Sequence, residues 1–218
     1  MAWELAWDEI YKSQGEVQRN VLPTAAMAAK LFRSENIHTV LDLGCGMGRH
    51  SIFLAQEGFQ VTATDISEKG VAATRQKARA LGLAIETACH DMRDIPFGDG
   101  AFDAVFCLWT SGHGTHADMR AHAKEMLRMT RPGGLVYVDY VSKVDSLYGI
   151  GTEIEKDTFI NNVPGEENIP HYYVSEAEIR ALYAGNAPAI RPYTYTFEDS
   201  AGEAHHIEAL LVVCKKQA

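Results

Sequence analysis

Apolar positions along the chain follow first a helical period and then a strict alternation of strand and helix patterns. Trp3, Trp7, Ile10 and Tyr11 fall at i, i+4, i+7 and i+8, one apolar face of a first helix. A second helical stretch follows Pro23 and carries Ala25 to Phe32. Thr39 to Leu43 then reads as a short strand ending in glycines, and Arg49 to Glu57 as a helix closed by Gly58. Gln60 to Thr64 is the next strand. Ser67 caps a helix that runs to Leu81, with Gly82 at its end. Ala84 to Cys89 and Phe102 to Trp109 read as the third and fourth strands. Between the fourth and fifth strands, Met119, Ala123, Met126 and Leu127 repeat the helical spacing until Pro132-Gly133-Gly134 stops it. Leu135 to Val141 is the fifth strand.

Such alternation implies a Rossmann-like α/β fold, a mostly parallel sheet with helices on both faces. Ligands of such sheets bind beyond the carboxyl ends of the strands, so the residues just after each strand are where chemistry is expected. Ser142 to Tyr173 breaks the rhythm. It is long for a loop and is expected to carry structure of its own or to act as a lid after the fifth strand. Ser175-Glu176-Ala177-Glu178 has the capping-box pattern and opens another helix. Ile190 to Phe197 and Ile207 to Cys214, joined by a polar turn with Asp199, Ser200 and Gly202, predict an antiparallel hairpin at one side of the sheet. The whole is read as a single domain, with residues 1–36 as a helical cover and 142–174 as the insertion.

The 218 residues suit one such domain. A net charge of −9 and the lack of any Lys/Arg run argue against a nucleic-acid partner, although solubility alone accounts for the charge. No apolar run is long enough to span a membrane, and the N-terminus lacks the layout of a signal peptide. Cys45, Cys89, Cys107 and Cys214 are widely spaced with no Cys-x-x-Cys pair, which predicts reduced thiols in a cytoplasmic protein.

The strongest chemical signal is Asp42-x-Gly44-x-Gly46-x-Gly48 between the first strand and its helix. The third glycine comes one position earlier than in the dinucleotide fingerprint. The acid before the turn suits a cationic ligand better than a pyrophosphate. Asp65 stands twenty-one residues after Gly44 at the second strand end, where a carboxylate can accept two hydrogen bonds from a ribose diol. Asp91-Met92 follows the third strand, where an acid can accept from an adenine amino group and Met92 can offer backbone N–H or apolar surface.

Together with Phe102-Asp103 and Arg131-Pro132-Gly133-Gly134-Leu135, these residues resemble the class I S-adenosylmethionine-dependent methyltransferases. The likeness covers Val40 to Val141 and is to the small stand-alone enzymes, such as the tellurite-resistance and ubiquinone-biosynthesis methyltransferases. It implies a seven-stranded sheet with a reversed last strand. It implies S-adenosylmethionine as cofactor, S-adenosylhomocysteine as product and a small-molecule methyl acceptor, in a monomer or homodimer. Gly44, Cys45 and Gly46 would hold the methionine part, as would the backbone at Leu108. Asp65 and Ile66 would hold the ribose, and Asp91 and Met92 the adenine. Arg49 and His50 either support the cofactor carboxylate or simply start the helix.

The acceptor is expected beyond the fourth strand, where Leu108 to His116 supplies an aromatic, hydroxyls and two imidazoles. His113, between two glycines, is the candidate base or positioning group, and a solvated loop histidine is the alternative. Trp109 is core or pocket wall. His171 and Tyr172 close the insertion as candidate lid residues, and Tyr173 is read as packing. Tyr11 is a further candidate cover residue, although its stripe favours the core. An NAD-linked oxidoreductase shares the strand, turn and ribose acid, but the glycine spacing and Asp42 count against it. A non-catalytic S-adenosylmethionine binder stays open. An aminopropyl transferase would need an acid-rich acceptor loop, which Leu108 to His116 is not. An arsenite acceptor would need converging thiolates, and Cys45, Cys107 and Cys214 do not cluster there.

Overall fold

A computed structural model of the chain describes residues 5–16, 19–198 and 204–217. In chain order the elements are α1 (Ala6–Gln14), α2 (Pro23–Ser34), β1 (Thr39–Leu43), α3 (Arg49–Gln56), β2 (Gln60–Asp65), α4 (Glu68–Ala80), β3 (Ile85–Cys89) and β4 (Phe102–Cys107). They continue as α5 (His116–Met129), β5 (Thr130–Val141), β6 (Thr152–Glu155), β7 (Thr158–Ile160), β8 (His171–Tyr172), α6 (Glu176–Leu182), β9 (Ala189–Glu198) and β10 (Ala204–Lys215). Trp3 and the turn residues Asp199, Ser200 and Gly202 lie outside the described residues.

The main sheet has seven strands in the order β3-β2-β1-β4-β5-β10-β9. The first five are parallel. β10 runs antiparallel to β5, and β9 returns antiparallel beside it. Period-2 alternation sends neighbouring residues of the central strands to opposite faces. Ala104 and Phe106 of β4 pack with Phe32 of α2 and Leu54 of α3, whereas Val105 and Cys107 pack with Met119 and Met126 of α5. Leu135 and Tyr137 of β5 join the first layer, and Val136 and Val138 the second. Two apolar layers thus clamp one sheet, which the alternating sequence requires.

Caps explain where several helices begin. The Ser67 hydroxyl accepts from Gly70 N, and Ser175 and Glu178 make both bonds of a capping box. A second capping box, Thr115 with Asp118, starts α5. That helix ends at Met129, before Pro132. The Thr130 hydroxyl bonds Met126 O, and the chain is already extended at Thr130, so β5 begins earlier than its apolar run. β4 ends at Cys107 rather than Trp109, because Trp109 turns to φ 62°.

The segment after β5 folds as a small antiparallel sheet in the order β6-β7-β8. It is bonded to the body on both sides. Val174 N reaches Val141 O at 3.0 Å, Gly114 N reaches Pro170 O at 2.8 Å and Tyr172 N reaches Gly112 O at 2.9 Å. These bonds hold the insertion over the carboxyl ends of β4 and β5. Tyr173 is buried there with its hydroxyl 2.6 Å from Asn162 Nδ2. No helix among the described residues is long and apolar enough to cross a membrane.

Candidate functional site

The turn after β1 is pinned from two sides. Gly44 N and Cys45 N both donate to Thr64 O at the end of β2, at 2.8 and 2.9 Å. Gly46 N donates to Asp65 Oδ2 at 2.8 Å. Gly44 sits at φ 76°, and a Cβ there would stand 2.2 Å from Thr110 Cγ2. A Cβ on Gly46 would stand 2.7 Å from the Tyr11 hydroxyl of α1. Glycine is needed at both positions because the backbone is left-handed and another side chain already fills the space.

Four carboxylates stand at or near the ends of β1, β2, β3 and β5, and each does something different. Asp42 is buried and accepts from the Ser51 hydroxyl at 2.5 Å. Burial pushes its pKa up to about 7. Asp42, expected near a cationic ligand, is not among the residues that line the cavity described below. It stands behind the glycine turn because its side chain points into the α3 layer, where Ser51 waits for it. Asp65 lines the cavity and accepts from Gly46 N and Ser67 N, each at 2.8 Å. Burial raises its pKa. Asp91 also lines the cavity, but both its oxygens are held by the Arg93 guanidinium. Burial raises the Asp91 pKa, and the bonds to Arg93 outweigh this and leave it lowered. Asp139 of β5 is buried on the cavity wall, accepts from Trp109 N at 2.8 Å and from the Tyr193 hydroxyl, and is pushed up to about 6 by burial.

A cavity of about 850 Å³ opens above these strand ends. Gly44, Cys45, Gly46, Asp65 and Ile66 line it from the first two strands, and Met92 and Leu108 from the third and fourth. Trp109, His113, His171 and Tyr172 line its other end. Tyr11 and Trp7 of α1 face the same space, so the stripe expected to pack in the core borders the cavity instead. The Trp109 ring has the Arg49 guanidinium 4.7 Å from its centroid and the Tyr195 ring 4.3 Å away, tilted by 32°. Positive φ in a residue this bulky is strained, and it is held here by the bond to Asp139 and by these contacts.

Arg49 Nη1 is buried on the cavity wall without a hydrogen-bond partner among the described residues, and burial lowers the pKa of the guanidinium. His50 also lines the cavity but is buried, with Nε2 accepting from Leu22 N at 3.4 Å. Sequence reasoning did not single out three further residues that line the cavity, Asp139, Glu166 and His122, the last with Nδ1 3.2 Å from Ser111 O. Asp139 carried a usable signal, a lone acid inside the apolar run Leu135 to Val141. Glu166 carried none, since it lies in an irregular stretch.

Residues 40–134 match the model of a methyltransferase domain. The putative methyltransferase YqeM of Bacillus subtilis (strain 168) is 34% identical over 185 residues, covering 80% of this chain and 72% of that protein. The chain belongs to the class I S-adenosylmethionine-dependent methyltransferases. Rat glycine N-methyltransferase is 33% identical over 141 residues, 58% of this chain, which spans about half of that enzyme's length (48%). The structure of a S-adenosylmethionine-dependent methyltransferase from Methanosarcina mazei superposes with a TM-score of 0.72 at 21% identity, over 91% of this chain and 99% of that one. The cofactor of the family is S-adenosylmethionine, and the cavity suits it. The unpartnered Arg49 Nη1 matches a carboxylate, and buried Asp65 lies beside a glycine turn that leaves backbone exposed to a ligand.

The raised carboxylates make a pH prediction. An acid whose folded pKa lies above its unfolded value, near 4, adds stability that is full below that value and is lost as pH rises through the folded pKa. For Asp42 the loss falls between about pH 4 and about 7. Buried His50 and His122 and half-buried His113 have lowered pKa values and act with the opposite sign over part of this window. The difference between wild type and Asp42→Asn in thermal melts from pH 5 to 8 isolates the carboxyl. The wild-type melting temperature is expected to fall relative to the variant as pH rises. A constant difference would show that Asp42 is ionised throughout.

Proposed function

We propose that this protein transfers the methyl group of S-adenosylmethionine to a small molecule held between the strand ends and a cover made of α1 and the insertion. The observation that carries this is the single cavity running from the glycine turn and Asp65 to His113 and His171. Its volume is toward the upper end of the roughly 300–1,000 Å³ of small-molecule sites, which leaves room for an acceptor beside the cofactor. Trp7 and Tyr11 of α1 and Tyr172 of the insertion roof it, which favours a small acceptor over a polymer. The charge of −9 supports the same choice against nucleic acid. All four thiols are free, which supports a reducing, cytoplasmic setting.

In this reading Gly44, Cys45, Gly46 and the Leu108 backbone take the amino-acid end of the cofactor, and Arg49 its carboxylate. Asp65 and Ile66 take the ribose. Met92 takes the adenine face, with Asp91 at its edge, held in place by Arg93. When bound, the cofactor supplies an already activated methyl group on a sulfonium. What the chain adds is in-line placement of the acceptor and exclusion of water by aromatic walls. His113 is half-buried and reaches the acceptor end, as a base or as a positioning group. Asp42 and Asp139 contribute negative potential to the cationic ligand, Asp42 without touching it.

Calorimetry decides the first part. S-adenosylhomocysteine is expected to bind at micromolar level and NAD not to bind. Tight NAD binding with no heat from S-adenosylhomocysteine would refute the reading. A panel of small acceptors, read by S-adenosylhomocysteine release, then identifies the acceptor.

A further inference from the structure

We propose that His113, Glu166 and His171 form a binding site for a divalent transition-metal ion at the acceptor end of the cavity. The proposal rests on the reading of His113 as an acceptor-side residue and assigns it the positioning role.

The three side chains come from separate pieces of backbone that the fold locks together. His113 pairs with His171 in an isolated antiparallel bridge, flanked by the bonds Gly114 N to Pro170 O and Tyr172 N to Gly112 O. The two rings stand edge to face with centroids 5.1 Å apart. Glu166 lies on a tight turn, with its N–H on Val163 O and its carbonyl accepting from Ile169 N. That turn brings Glu166 Oε2 to 2.8 Å from His171 Nε2 and 3.5 Å from His113 Nε2. One ligand atom from each residue lies within 4.8 Å of the other two. Two imidazoles and one carboxylate converging from one side form a three-ligand face that leaves other coordination positions open.

Charge and hydrogen bonding say that this cluster is incomplete without a ligand. The Glu166 side chain is 19% exposed, and its ion-pair partners among the described residues are the two imidazoles, with no Lys or Arg. Each neutral imidazole can offer a ring-nitrogen lone pair to such an ion. The Glu166 carboxylate thus sits half-buried against two imidazoles, where a cation would meet one oxygen and two nitrogen donors. His171 is 8% exposed, and its Nδ1 is buried with no hydrogen-bond partner among the described residues, so the cluster does not satisfy its own polar atoms.

The donor set selects the ion. Imidazole nitrogen suits Zn²⁺, Co²⁺, Fe²⁺ or Ni²⁺, whereas Mg²⁺ and Ca²⁺ take oxygen ligands. All three residues line the cavity, so the ion's open positions face the acceptor. The acceptor class that fits is a small molecule presenting an oxygen, nitrogen or sulfur lone pair to the ion. Such an ion lowers the pKa of a bound hydroxyl or thiol without a protein base.

The test uses the full chain, stripped with chelator and titrated with Co²⁺ and Zn²⁺ by calorimetry, with the Co²⁺ absorption bands as a second readout. One ion per chain is expected, with affinity falling at least tenfold in Glu166→Gln, in His171→Gln and in His113→Gln, and unchanged in the exposed His38→Gln. His113 lies on a cavity loop, so its variant decides the matter if a Glu166 or His171 variant does not fold. Absence of a stoichiometric ion, or equal affinity in wild type and the cluster variants, overturns the proposal. S-adenosylhomocysteine titrated into the same preparations keeps the two readings apart. Binding of that ligand without metal binding refutes only the metal site, and loss of that ligand's binding in wild type refutes the cofactor reading.

Discussion

Gly44→Ala is expected to lower the melting temperature strongly and to abolish measurable binding of S-adenosylhomocysteine. Two costs coincide at this position. The backbone is left-handed at φ 76°, where an L side chain costs about 1–2 kcal/mol. The new methyl would also stand 2.2 Å from Thr110 Cγ2 and 2.7 Å from Thr110 Cβ, and overpacking of this kind costs about 1–3 kcal/mol. Thr110 cannot swing away freely, because its Cβ is itself in the way and its hydroxyl bonds Gly44 O at 3.2 Å. Together these costs amount to about 2–5 kcal/mol, and at roughly 2–4 °C per kcal/mol for a chain of this size the melting temperature should drop by roughly 4–20 °C. Adding Thr110→Gly should recover the clash but not the backbone strain. A Gly44→Ala protein that melts within a degree of wild type and binds the ligand normally would show that the turn is not closed by Thr110.

Asp65→Asn is expected to weaken S-adenosylhomocysteine binding by about 1.5–3 kcal/mol, the scale of hydrogen bonds to a charged group, or roughly 10–150-fold in Kd. Asp65 lines the cavity beside the turn, and its two oxygens also hold Gly46 N and Ser67 N. Asp65→Ala is therefore a poor probe, since it leaves two backbone N–H groups without their acceptor and loosens the turn as well as the ligand. Asn keeps the shape and removes the charge. It can accept through one atom only, so one of the two N–H bonds is still lost. Calorimetry on a variant shown by circular dichroism to be folded reads the effect. Unchanged affinity in a folded Asp65→Asn would reduce Asp65 to a residue that shapes the turn.

The alternation of strands and helices, the glycine turn after β1, the Ser67 and Ser175 caps and the terminal hairpin were legible in the chain itself. Each is a local matter. A period of two or 3.6, a hydroxyl before a helix or a glycine at a turn acts through residues a few positions apart. The tertiary structure decided what those signals leave open. It put Asp42 behind the turn against Ser51 and turned the Trp7 and Tyr11 stripe from expected core to cavity wall. It made Asp139 the anchor of a strained Trp109. It also brought Glu166 from an irregular stretch to His113 and His171. Those groups are distant in the chain, and nothing periodic marks them. They meet because the bridges between residues 112–114 and 170–172, and the packing of the insertion on the strand ends, leave each side chain one place to go. Sequence periodicity says which face of an element is apolar, whereas which distant face it meets follows from how the whole chain closes.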